Sequence, residues 1–181
     1  MFWVSPGATN MKYLRCMAHE IKPIKRSKQL APLSREHHDG LLFAWKIKQG
    51  LENKVPLEKL RRYSLWYWQQ HIKPHFYQEE KILMPYMPAD HPMAKQLKEE
   101  HEHIRELVLS LDAEADKRDF VILADLVNKH IRFEERELFV YLEELLTTEQ
   151  LNKVYQELEE HPLTCNDPKS PVWEEEFWVK K

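Results

Sequence analysis

The sequence predicts an all-α protein, an antiparallel up-down-up-down four-helix bundle with a short fifth helix and irregular N- and C-terminal tails. Three observations predict it. Only three glycines occur in 181 residues, Val/Ile/Thr runs are scarce, and the good helix formers Leu, Glu, Lys, Gln and Arg dominate. Apolar residues recur at helical spacing between breakers such as Gly50, Pro56, Pro88 and Pro92. One pattern also occurs twice: His75-Phe76-Tyr77-Gln78-Glu79-Glu80 and His130-Ile131-Arg132-Phe133-Glu134-Glu135 both read H-x-x-x-E-E.

The length fits one domain. The bundle is expected over residues 33–146, after an irregular arm over 1–32 and before a short helix and C-terminal strap over 147–181. The first helix starts near Ser34, read as its N-cap, and runs to about Gln49, with Gly50 as the residue that stops it. Its inner stripe is Leu33, His37, Leu41, Ala44 and Ile47, with Trp45 alongside. His38 lies about 100° round the helix from His37 and fits that stripe less well.

Val55-Pro56 opens the second helix, Leu57 to about Tyr86. Pro74 inside it removes a backbone hydrogen bond and is expected to kink the helix one residue before His75. His71, one turn before His75, shares its face as an extra ligand or as a partner behind one. Asp90 is read as the cap of the third helix, about His91 to Ala115, whose stripe is Ala94, Leu97, His101, Ile104, Val108 and Leu111. The fourth helix runs from about Asp119 to Leu146. Thr147-Thr148-Glu149-Gln150 reads as a capping box for a fifth helix ending near Glu160. Beyond it, the aromatic tail Trp173 to Trp178 is expected to strap onto the bundle.

The repeated pattern carries the chemistry. A His and a Glu at i and i+4 share one face of a helix, and in both copies the neighbouring apolar residues fall on that face: Trp68, Ile72, Ile82 and Leu83 around His75, and Leu123, Leu126, Val127, Phe133 and Leu138 around His130. A His and a carboxylate aimed at a core are costly unless something satisfies them. A metal ion satisfies both. Glu36-His37 and Glu100-His101 precede the two copies, so each half of the chain is a hairpin giving one His, then a His and a Glu. Two such hairpins place His37, His75, Glu79, His101, His130 and Glu134 in one core. Imidazole and carboxylate without thiolate suit iron or manganese better than copper(I) or structural zinc.

Composition excludes other classes. Net charge is −3 with both signs interspersed, so no basic face supports nucleic-acid binding. No apolar run approaches the roughly 20 residues of a membrane span, and the N-terminus lacks a signal pattern, so a cytoplasmic protein is expected. Cys16 and Cys165 form no CxxC and suggest no disulfide framework. There is no Gly-rich phosphate loop and no recognisable Ser/His/Asp or Cys/His arrangement.

Leu33-Ser-Arg-Glu-His37, His75-Phe-x-x-Glu79-Glu80, Glu100-His101-x-x-Ile104 and His130-x-x-x-Glu134-Glu135, in that order and at helical spacings, resemble the hemerythrin-like (HHE cation-binding) family over about residues 33–146. The resemblance implies a non-haem di-iron centre, with Glu79 and Glu134 as bridges and His37, His75, His101 and His130 as outer ligands. Glu80 and Glu135 then either orient a ligand histidine or are solvated or salt-bridged. The chain departs from the oxygen carriers at two points. Arg105 stands where they have a second His one turn after that of the third helix, and Glu134 follows its His by four residues where they have an Asp at five. The seventh ligand is therefore missing unless His38, His71 or a water supplies it, and the open positions suit O2, NO or peroxide.

Three functions compete. The favoured one is a binding module that binds or senses O2, NO or iron. The alternative is a di-iron enzyme acting on O2, peroxide or NO, with Tyr67, Tyr77, Tyr86 and Tyr141 as rings that could border the site. The third is a helical adaptor with an empty histidine cluster. No protein partner can be named from the residues.

Overall fold

The first helix, α1 (Ala31–Glu52), begins three residues before Ser34, so Ser34 is not its cap. Pro32 sits in its first turn, where a missing N–H costs nothing. Nor does Gly50 stop it. The stop is a Schellman motif in which Val55 N–H donates to Gly50 O and Lys54 N–H to Leu51 O, with Lys54 in the left-handed region at φ 57°. Gly50 serves a different purpose: a Cβ there would meet Leu60 Cδ2 at 2.6 Å and Phe177 Cδ2 at 3.1 Å. The inner stripe is Leu33, His37, Gly40, Phe43, Ala44 and Ile47, whereas Leu41 is half-buried and Trp45 exposed. The computed structural model describes residues 25–111, 114–161 and 176–179. Most of the expected arm and tail, with Cys16, Cys165 and Trp173, lies outside them.

The second helix, α2, is continuous from Leu57–Tyr67 to Met84–Tyr86 but changes pitch on the way. A π turn at Trp68–Ile72 precedes Pro74, and a second at Glu79–Leu83 begins at Glu79. The wider first turn accommodates a proline that would strain an α-helical ladder, so the helix absorbs Pro74 rather than breaking there. The third helix, α3 (Pro92–Leu109), is capped by His91, whose Nδ1 accepts from Met93 N–H at 3.3 Å, and not by Asp90. It stops short of Ala115, although the whole predicted stripe from Ala94 to Leu111 is buried. The fourth helix, α4, starts with Lys117–Phe133, passes through a π turn at Glu134–Leu138 and ends with Phe139–Leu145. Its capping box pairs Asp116 with Asp119, two residues ahead of the expected start. The fifth helix, α5 (Thr148–Glu160), has the Thr147–Gln150 box read from the sequence.

Two apolar clusters show how the helices run. Along α1, Leu33 belongs to one cluster and Phe43 and Ile47 to the other. Along α2 the order reverses, from Leu60 and Trp68 to Ile82 and Leu83. It reverses again in α3, from Leu97 to Ile104, and again in α4, from Leu123 to Phe139. The helices thus alternate up, down, up, down. Each crosses between the clusters where its His or Glu stands, so the polar residues form a layer between two apolar ones. Leu151, Val154 and Leu158 of α5 cover the second cluster, while Phe177 lies against Tyr63 with ring centroids 5.1 Å apart. There are no strands among the described residues, and no helix there is long and apolar enough to cross a membrane.

Lys54 marks a strained position. A left-handed non-glycine residue costs about 1–2 kcal/mol, and a glycine gives back roughly 0.4–1 kcal/mol through its freer unfolded chain. Lys54→Gly is therefore expected to stabilise the protein by about 0.5–1 kcal/mol, read as a higher urea midpoint at unchanged slope. A lower midpoint would contradict this account of the α1 stop.

Candidate metal centre

All six residues singled out from the sequence meet in the layer between the two clusters. His37, Glu79, His101, His130 and Glu134 are at most 3 % exposed and His75 is 8 % exposed. They form two groups, His37, His75, Glu79 and Glu134 in one, and His101, His130, Glu79 and Glu134 in the other. Both carboxylates belong to both groups. Glu79 turns Oε1 toward His75 Nε2 at 3.3 Å and Oε2 toward His101 Nε2 at 3.2 Å. Glu134 turns Oε2 toward His37 Nε2 at 3.1 Å and Oε1 toward His130 Nε2 at 3.2 Å.

Each imidazole is held from behind. Nδ1–H donates to Glu135 from His37 (2.6 Å), to Glu36 from His75 (2.7 Å), to Glu80 from His101 (2.9 Å) and to Glu100 from His130 (2.9 Å). A carboxylate can only accept, so these bonds fix the tautomer and leave every Nε2 facing the centre. The pairing follows the repeat. The acid after each shared Glu holds the His of the opposite hairpin's first helix, and the acid before each first-helix His holds the second His of its own hairpin. Sequence reasoning left Glu80 and Glu135 open and missed Glu36 and Glu100 as partners. The signal was present, because each of these two stands immediately before a histidine of the repeat.

The donors fit a cation better than they fit one another. No oxygen of Glu79 or Glu134 has a hydrogen-bond partner, and neither do Nε2 of His101 or His130, despite separations near 3.2 Å. The lone pairs converge on shared points instead of on neighbouring N–H groups. Nε2 of His37 and His75 stand 3.0 Å apart, too close for both to carry a proton comfortably. Buried acceptors without donors are expensive, and cations bound by both groups would satisfy them.

His38 is exposed and His71 lies outside both groups, stacked on Tyr67 at 4.5 Å. Arg105, at the carriers' extra-His position, is partly exposed and paired with Glu102. A cavity of about 50 Å³ adjoins the centre, with Tyr67, Ile72, Ile104 and Ile131 in its wall beside His130 and Glu134. A water needs roughly 10–15 Å³ of such space, so the cavity has room for a diatomic molecule.

Burial works against charge on these groups, and their partners outweigh it. His101 is pushed up to about 10 by Glu134, Glu79 and Glu80, and His130 is raised by Glu134 and Glu100. Glu134, Glu135 and Glu79 raise His37, and Glu79 and Glu36 raise His75 to about 9 although burial and the neighbouring His37 oppose it. Burial and mutual repulsion raise Glu79, yet His75, His101 and His37 hold it well below the usual range, and His130 and His37 do the same for Glu134. Glu135 is lowered to about 2 by His37, Ser34 and Arg26.

The raised histidines stabilise the metal-free fold fully below their ordinary value of 6.5, and this contribution is lost as pH rises through about 10. The lowered glutamates contribute above 4.5, and their part is lost as pH falls through about 2 for Glu135. Calorimetry of chelator-treated protein is therefore expected to show the highest Tm between about pH 4.5 and 6.5. Adding metal should release protons below about pH 10, where the histidines still carry them, and should restore stability above it. A metal-free Tm still rising from pH 7 to 10 would contradict these charge states.

The chain matches the family model of the hemerythrin HHE cation binding domain over residues 31–142. Comparison with curated proteins and with solved structures finds no match. The matched span contains all six residues and the four carboxylates behind the histidines. By its matched span, its helical bundle and a His/Glu cluster that fits a metal site, the chain belongs to the hemerythrin HHE cation-binding domain family.

Proposed function

We propose that the centre holds a pair of non-haem iron ions, with manganese as the alternative metal, and that the protein binds or senses a small ligand such as O2 or NO, or iron itself. The observation that carries a pair is the placing of Glu79 and Glu134, each with one oxygen toward each histidine pair. Each position then has two imidazoles and one oxygen from each carboxylate. Four such donors leave exchangeable positions on an ion that takes six, and the thiolate-free set favours iron or manganese. Iron held by these six residues would supply electrons and open coordination positions for a small ligand.

The chain's own residues prepare the place. Glu36, Glu80, Glu100 and Glu135 hold the Nδ1 protons and so aim each Nε2 inward. Phe76 stacks on His101 at 3.6 Å and Phe139 on His37 at 5.1 Å, covering two imidazole faces from water. The adjoining cavity offers room for a small ligand beside the centre. Turnover of O2, peroxide or NO is favoured by one observation, that Tyr67 lines this cavity. Tyr77 is exposed and Tyr141 stacks on His91, so neither serves the centre.

Elemental analysis of protein produced with iron is expected to find one iron for each of the two groups. Glu79→Ala removes a carboxylate common to both and is expected to cut bound iron by more than half while the helical circular dichroism persists. NO added to the reduced, loaded protein should change its visible spectrum. Full iron content in the variant, or no spectral response to either NO or O2, would count against the proposal.

A further inference from the structure

The two halves of the centre repeat in sequence, but the carboxylates behind His37 and His101 are anchored differently. We propose that Arg26, in the irregular segment ahead of α1, is a positioning residue for His37 and makes the two metal positions unequal. The second part rests on the two-cation reading above.

The Arg26 side chain is 7 % exposed. Its Nη2 donates to Glu135 Oε2 at 2.8 Å and to the Glu135 backbone oxygen at 2.6 Å, and its Nη1 donates to Glu143 Oε2 at 2.9 Å. Ser27 N–H holds the other Glu143 oxygen at 2.6 Å. Glu135 Oε1 meanwhile accepts from Ser34 Oγ–H and from His37 Nδ1–H, each at 2.6 Å. Both oxygens of Glu135 are thus clamped, and a forked guanidinium is the group best suited to clamp one. The same guanidinium lies 5.1 Å over the ring of Phe139, which stacks on His37. Arg26 therefore reaches the hydrogen bond of His37 through Glu135 and the face of its ring through Phe139.

Among the described residues, the opposite half has no such clamp. Glu80 accepts from His101 at 2.9 Å, while Arg105 Nη2 stands 3.9 Å away on a side chain that is 39 % exposed and bonded to Glu102. An acceptor fixed in place fixes the imidazole plane, and ligand orientation sets metal affinity. Behind His130, Glu100 is held by Gln96 Nε2–H at 2.9 Å, but a neutral amide is a weaker anchor than a guanidinium, so the His37 and His75 position is the more pre-organised one and fills first.

The test uses the full chain. Long-range proton–nitrogen NMR follows the imidazole Nδ1–H signals without metal, and cobalt(II) titration then reads the two binding steps by absorption. Arg26→Gln is expected to speed solvent exchange of the His37 proton roughly tenfold, to leave that of His101 unchanged, and to weaken the tighter cobalt step on the order of 10–100-fold. Arg26→Lys keeps the charge without the fork and should not restore either property. Glu143→Gln loosens only the far anchor and should move His37 in the same direction by less. Arg105→Gln should move nothing at the centre. The inference is overturned if Arg26→Gln leaves His37 as in the wild type, if it loosens His37 and His101 alike, or if lysine restores both readouts. A wild type that takes up no second cobalt would count against the two-cation reading, while the imidazole signals still decide the role of Arg26.

Discussion

The hydrogen bond from each imidazole Nδ1–H to a carboxylate is the interaction on which the centre depends. Four histidines and two glutamates are buried between two apolar clusters, where a free polar group is costly. Without Glu36, Glu80, Glu100 and Glu135, each ring could rotate or place its proton on the other nitrogen. With them, both the tautomer and the plane are set, and every Nε2 lone pair is directed to the same layer. The four outer carboxylates are partly exposed and Glu135 is also held by Arg26 and Ser34, while the two inner ones depend on imidazolium or metal. The centre is thus polar at its middle and at its outer face, with rings between.

The backbone is adapted to this arrangement at matching places. A π turn begins at Glu79 in α2 and another at Glu134 in α4. A π turn holds an extra residue, and in both helices two successive acids consequently serve the centre: Glu79 and Glu134 face its middle, while Glu80 and Glu135 reach histidines of another helix. The irregular stretches therefore coincide with function. The apolar stripes that keep the layer dry run along all four helices, π turns included.

Much of this was legible in the residues. The spacing of His75 with Glu79 and of His130 with Glu134 placed them on common faces, and the Pro and Gly breaks separated the helices well enough to predict the bundle. The third-helix stripe was read residue by residue, because a helix without internal breakers keeps its phase. Other features were not legible, for identifiable reasons. Gly50 looked like a stop signal, yet the close approach of Leu60 and Phe177 requires it, and that is a tertiary fact. Ser34 looked like a cap, but its hydroxyl serves Glu135 on α4. The inner face of α1 was rotated toward Leu41 because the smallness of Gly40, which lets Ile131 pack close, has no hydropathy signature. Glu36 and Glu100 were overlooked because an acid at the edge of a helix's apolar stripe usually means only solvation. The π turns have no sequence signature that periodicity detects.

The central claim is that Glu79 and Glu134 are shared by two cations, each also held by one pair of histidines. Anomalous diffraction at the iron edge, from crystals of iron-loaded protein, tests it most directly. The account predicts two peaks inside the bundle, one beside His37 and His75 and one beside His101 and His130, with both glutamates contacting both peaks. A single peak, or none with the glutamates turned to hydrogen-bond the imidazoles, would contradict it.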